Sequence, residues 1–76
     1  MMEINLNLFV TLAKYQPISS GTYPIKEGAV IEDLIRTLGV PDEEAKLVFV
    51  NGKRKDRDYV LQNKDRVGIF PPVGGG

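Results

Sequence analysis

Cysteine, histidine and tryptophan are absent from this 76-residue chain. Without cysteine there is no disulfide, no thiol nucleophile and no thiolate metal site. Without histidine the commonest general base and the commonest zinc ligand are missing. Net charge is absent too, because ten basic residues balance ten acidic ones. That argues against general nucleic-acid binding, where phosphate contacts need surplus positive charge. The longest uninterrupted apolar run, Leu47 to Val50, is far too short for a membrane span or a signal-peptide core. Hydrophobic residues still make up 42% of the chain, enough for a small core and too many for a disordered tail. The expectation is a soluble, cytoplasmic, single small domain that acts through its surface or its ends.

Patterning supplies the elements. Ile4, Leu6, Leu8, Val10 and Leu12 share one parity, which predicts a half-buried strand running to residue 12 with Phe9 on its outer side. Pro17, Ser19, Ser20 and Gly21 mark residues 14–21 as a loop, and residues 22–26 predict a second strand forming a hairpin with the first. Ile31, Leu34, Ile35 and Leu38 recur at helical spacing, and Gly39 and Pro41 stop the helix. Its start lacks a polar cap, so its first turn is expected to fray. Residues 41–44 suit one extra turn. Residues 46–50 predict a strand that is apolar on both sides, which suggests a central place in the sheet. Asn51-Gly52 predicts a type I′ turn into a short strand over residues 53–55. Leu61 is the expected anchor of an irregular stretch, and residues 66–70 form the last strand. The sum is an α+β fold in which one helix covers one face of a mixed four- to five-stranded sheet.

Few residues could carry chemistry within this body. Ser19 and Ser20 have no partner base. Asp42, Glu43, Glu44, Asp56 and Asp58 read as solvated turns, and Asp56-x-Asp58 lacks the rest of a calcium loop. Lys53-Arg54-Lys55 reads as a charged edge that guards against aggregation. The end of the chain differs. Pro71 and Pro72 fix φ and remove two donors, so the chain leaves the sheet extended. Val73 and then Gly74, Gly75 and Gly76 follow, and a tail without Cβ atoms can enter a channel too narrow for other residues. A frayed terminus is the plain alternative.

Parity adds one more feature. With Val67, Ile69, Val48 and Val50 facing the helix, Phe70, Phe49, Leu47 and Phe9 fall on the uncovered face. Large apolar residues left on an uncovered face commonly mark a partner site.

The chain resembles the MoaD/ThiS family of ubiquitin-like sulfur carriers. The resemblance lies in Leu8-Phe9-Val10-Thr11-Leu12, Glu27-Gly28-Ala29 before Asp33-Leu34, Leu38-Gly39, Val50-Asn51-Gly52, Leu61, Asp65-Arg66-Val67 and Ile69-Phe70-Pro71-Pro72-Val73 before the glycines. It implies a β-grasp domain over residues 1–70 and a flexible tail over 71–76. It further implies that Gly76 is adenylated by an E1-like enzyme using ATP and magnesium, then converted to a thiocarboxylate. On this view the domain is no enzyme and binds no cofactor of its own. Gly74, Gly75, Pro71, Pro72 and Val73 would insert into a partner, with Phe9, Leu47, Phe49 and Phe70 as the docking residues. The Phe-Pro-Pro exit is similar to that of the small subunit of molybdopterin synthase, whose partner is the synthase large subunit. Three terminal glycines are frequent among thiamine-type carriers, whose partner would be thiazole synthase. Conjugation to lysines, and a binding module with an inert tail, are the other readings.

Overall fold

The computed structural model describes residues 2–17 and 20–72. Five strands lie in the order β2-β1-β5-β3-β4, with β1 Met2–Leu8, β2 Tyr23–Ile25, β3 Leu47–Val50, β4 Lys53–Arg54 and β5 Arg66–Phe70. β5 is central. It runs parallel to β1 and antiparallel to β3, while the β1/β2 and β3/β4 pairs are antiparallel.

The helix α1, Ile31–Leu38, covers one face. Alternate strand residues meet it: Ile4, Leu6 and Leu8 from β1, Val67 and Ile69 from β5, and Val48 and Val50 from β3 are buried with Ile31, Leu34, Ile35 and Leu61. The apolar stripe at helical spacing therefore packs as expected, with Leu38 at the margin of the core. Gly39 ends α1 at φ 81°, a left-handed position that glycine adopts without steric cost.

The helix start departs from expectation. Its N-cap is Val30, which has no side-chain acceptor, yet the first turn is held. The amides of Ile31 and Glu32 donate to the carbonyls of Tyr59 and Arg57 at 3.1 and 2.9 Å. The Asp33 carboxylate accepts from the Val30 amide at 3.1 Å. Groups that an N-terminus normally leaves open are thus met by a distant loop.

The first strand is also shorter than its alternation predicts. It ends at Leu8, and Val10–Tyr15 form a 3₁₀ helix, with a second 3₁₀ turn at Ser20–Thr22. Val10 takes φ 55°, which turns the chain out of the sheet. Leu12 is fully buried all the same, reaching the core from the 3₁₀ helix. β2 pairs only with Met2, Glu3 and Ile4, so the rest of that side of β1 needs another partner. Gln16 supplies it: its Oε1 accepts from the Leu8 amide and its Nε2 donates to the Leu6 carbonyl, both at 2.7 Å.

Asn51 and Gly52 take φ 53° and 85°, the pair of positive values a type I′ turn requires. β3 is flanked by β5 and β4, but its outer residues are not covered by a second layer. Its two-sided apolar character reflects the outer patch.

The loop after β4 is tied down by polar contacts. Asp65, 5% exposed, accepts from the Asn51 side chain at 2.9 Å, the Tyr59 hydroxyl at 3.1 Å and the Gln62 amide at 2.9 Å. Arg57 bridges Glu32 of α1 and Asp42, and donates to the carbonyls of Asp42 and Ala45. Partial burial works against the Arg57 charge, but hydrogen bonds to Asp42 and Glu32 outweigh it and raise its pKa. Among the described residues no helix is long and apolar enough to cross a membrane.

Candidate functional site

The outer face of the sheet is built by the residues that alternate with the core. On β5 these are Arg66, Gly68 and Phe70; on β3 they are Leu47 and Phe49. Register sets Leu47 opposite Phe70 and Phe49 opposite Gly68. Phe9, extended at φ −103° and ψ 154°, stays on the outer parity of β1, and its amide donates to the Ile69 carbonyl at 3.1 Å.

All three phenylalanines meet as parity predicts. Phe70 lies between the other two. Its ring stacks on Phe9 with centroids 4.3 Å apart and planes within 6°, and meets Phe49 edge-on at 5.6 Å and 81°. Such contacts add about 0.5–1.5 kcal/mol each beyond area burial. They also fix the last residue of β5 immediately before Pro71 and Pro72. Phe9 remains 39% exposed, and Leu47, Phe49 and Phe70 are half-buried. The rings contact one another without being covered.

Gly68 makes this arrangement possible. A Cβ at position 68 would stand 3.1 Å from Cε2 of the Phe9 ring, closer than most real contacts, so the bare backbone lets Phe9 lie over β5. Parity alone does not mark Gly68 as a site residue. The available signal was a glycine inside an otherwise apolar strand, which often marks close approach by another group. Beside it, Phe9, Phe49, Phe70, Asn7 and Arg66 enclose a shallow concavity of about 410 Å³.

Pro71 is half-buried and Pro72 exposed as the chain leaves β5. Val73, Gly74, Gly75 and Gly76, expected to form the inserting tail and its reactive end, lie outside the described residues. A larger hollow of about 550 Å³ lies between β2 and α1, lined by Tyr23, Ile25, Leu34 and Leu61 among others. It is remote from the aromatic face, and Pro24 leaves its edge strand short of a donor. Among the described residues no group of three or more acidic side chains is placed to hold a metal ion.

A mixed five-stranded sheet with one covering helix and a chain end leaving the central strand is the β-grasp architecture, and the protein is ubiquitin-like. The family described as Mut7-C ubiquitin matches residues 2–74, and the chain belongs to that family. Solved structures share the fold. A Pyrococcus furiosus protein given as molybdopterin converting factor subunit 1 superposes with a TM-score of 0.73 at 24% identity, covering 96% of this chain and all of its own. The HVO 2177 protein of Haloferax volcanii gives 0.72 at 25% identity, over 99% of this chain and 87% of that one. SAMP1 from the same organism gives 0.66 at 19%, over 97% and 99%. The fold expected from the motif resemblance is thus the fold observed. No curated protein matches the sequence.

Proposed function

We propose that the chain is a sulfur carrier that works through a Gly76 carboxylate and docks through Phe9, Leu47, Phe49 and Phe70. The observation that carries this reading is the Phe9–Phe70 stack. It makes the docking face and the start of the tail one rigid unit, so a partner that grips the aromatics also aims the chain that follows Pro72. The likeness in fold to molybdopterin converting factor subunit 1 agrees with it.

The chemistry follows from the weakness of a carboxylate as an electrophile. An E1-like adenylyltransferase with ATP and magnesium would join the Gly76 carboxylate to AMP, with pyrophosphate leaving. A sulfide-level donor would then attack the acyl carbon and expel AMP, leaving a thiocarboxylate. That sulfur is nucleophilic and sits on a tether narrow enough for a buried site. No catalytic side chain is required of the carrier, in keeping with its lack of cysteine and histidine. The favoured destination is the large subunit of molybdopterin synthase. Three glycines in a row keep delivery to thiazole synthase as the second reading.

The test is activation of chains that differ only at the end. A chain ending at Gly76 should support pyrophosphate exchange with the E1-like enzyme. Chains lacking Gly76, or extended by one residue, should lose it by more than about a hundredfold while melting at the same temperature, since binding without a correctly placed carboxylate gives no reaction. Equal exchange by the extended chain would overturn the reading. Intact-mass measurement then separates the fates of the acyl adenylate. One sulfur in place of one oxygen marks sulfur transfer, and a remnant of Gly-Gly or longer on the lysines of digested target proteins marks conjugation.

A further inference from the structure

Asparagine followed by glycine occurs once in the chain, at Asn51-Gly52, and the pair has a reactivity of its own. The backbone nitrogen after an asparagine can attack the side-chain amide carbon, and glycine, lacking Cβ, hinders that approach least. Asn5, Asn7 and Asn63 are followed by Leu6, Leu8 and Lys64, whose side chains crowd the same path. Asn51 and Gly52 are both exposed, and a Cβ at position 52 would meet nothing within 4 Å, so water reaches the pair freely.

The fold holds this reaction back in two ways. A type I′ turn sets ψ of its first central residue at about +30°, which puts the Gly52 nitrogen almost opposite Cβ of Asn51 and out of reach of its amide carbon. The side chain is also tied away. Its nitrogen donates to Oδ1 of Asp65 at 2.9 Å, and its oxygen accepts from the Arg66 amide at 3.0 Å. A carboxylate only accepts and a backbone amide only donates, so the carboxamide fits in one orientation. Asp65 is 5% exposed and receives the Tyr59 hydroxyl and the Gln62 amide on its other oxygen. Position 51 must therefore offer a donor. A carboxylate in its place would set two like charges in contact where Asp65 has little water to screen it.

We propose that Asn51 is a self-modification site gated by Asp65. When the bond to Asp65 opens and the turn relaxes, the Gly52 nitrogen bonds to Cγ of Asn51. The Cγ–Nδ2 bond breaks, and ammonia leaves with the proton from the Gly52 amide. Water then opens the cyclic imide at either carbonyl, giving aspartate or its β-linked isomer with no change of oxidation state. Either product lacks the donor that Asp65 accepts, so the corner cannot close as before. Deamidation thus records irreversibly that the turn has opened, and it leaves the Asp65 network looser in every marked chain. Gly76 plays no part, so this inference and the sulfur-carrier reading fail separately.

The experiment ages the whole chain in mildly alkaline buffer and follows the tryptic fragment 47–53 by mass for conversion of amide to acid. Conversion in the folded chain should be at least about thirtyfold slower than in the same chain unfolded in urea, because reaction waits on local opening. Asp65→Asn turns a donor towards Asn51 and should speed conversion about tenfold. Ile69→Val weakens the core farther along β5 and should leave the rate unchanged. Asn51→Asp stands for the product: it should lower the urea midpoint and speed hydrogen exchange of the Gln62 amide at least about tenfold. Combining Asn51→Asp with Asp65→Asn exchanges donor and acceptor across the same bond and should recover most of that loss. Should Asp65→Asn alone fail to fold, the parent chain and the double variant still decide. Equal rates in folded and unfolded chains overturn the proposal. So does acid appearing first at another asparagine, equal acceleration by Ile69→Val, an Asn51→Asp chain as stable as the parent, or a double variant no more stable than Asn51→Asp.

Discussion

On β5, Val67 and Ile69 are 1% and 0% exposed beneath the helix, while Gly68 and Phe70, one step along the same strand, lie half-buried on the far side. The contrast extends to β3, where Val48 and Val50 are buried and Leu47 and Phe49 are not. Both faces are apolar, but only one has a second layer. The helix face is closed by α1, Leu12 and Leu61. The outer face carries stacked aromatic rings and an open hollow. Parity thus divides the work: one set of alternate residues holds the fold together and the other is left for encounter.

That division is broken most directly by truncating one residue from each face. Ile69→Ala removes a fully buried side chain and should cost about 2–5 kcal/mol. For a domain of this size that is a large part of a total on the order of 4–11 kcal/mol. Phe49→Ala, on the outer face, should cost about 1–2 kcal/mol, because the ring is already partly in contact with water and one edge-on contact is lost. If the chain is activated as proposed, activation should show the reverse order once both variants are studied under folding conditions. Urea midpoints and pyrophosphate exchange on the two variants measure this. If Phe49→Ala proves as destabilising as Ile69→Ala, the outer face is part of the core and the division fails.

Much of this division is legible in the sequence, for a simple reason. Strand alternation and helical spacing are local consequences of backbone geometry, so Val67, Ile69, Ile31 and Ile35 could be assigned to the core and Phe49 and Phe70 away from it. What escaped were features made by distant parts of the chain. The helix start is completed by carbonyls of Arg57 and Tyr59, some 25 residues on. The open side of β1 is met by the Gln16 carboxamide. Neither leaves a local signature. The end of β1 falls short of its alternation because Leu12 keeps the parity while reaching the core from a 3₁₀ helix. Gly68 was visible as an anomaly, but its meaning needed the Phe9 ring beside it.

Val10 belongs to neither face, and it sharpens the comparison. It is 75% exposed, so packing does not hold it, and its φ of 55° is unfavourable for a β-branched residue. Left-handed backbone costs an ordinary residue about 1–2 kcal/mol, whereas asparagine tolerates it. Val10→Asn should therefore stabilise the fold by about 1 kcal/mol, or roughly 4–8 °C in Tm, and leave the Phe9–Phe70 stack intact. This would be a gain at a residue outside both the core and the aromatic cluster. Thermal unfolding checks it. An unchanged or lower Tm would mean that the turn after Phe9 is held by contacts of the Val10 side chain.

The smallest effect concerns the rim of the covered face, where Tyr59 donates to Asp65 at 3.1 Å. Burial raises the Tyr59 pKa, and the hydrogen bond to Asp65 and the charge of that carboxylate raise it further. In the unfolded chain a tyrosine loses its proton near pH 10; in the fold the proton is held to higher pH. Above about pH 10 the unfolded state therefore binds fewer protons than the native state, and stability falls as pH rises. Below that range the contribution of Tyr59 is fully present and independent of pH. Tyr59→Phe lacks the titrating group, so the stability difference between the parent and this variant should be constant from pH 8 to about 9.5 and should shrink towards pH 11. Urea midpoints measured across this window test the point. A constant difference up to pH 11 would show that the hydroxyl is exchanging with water, and that the polar rim is looser than the closed core it borders.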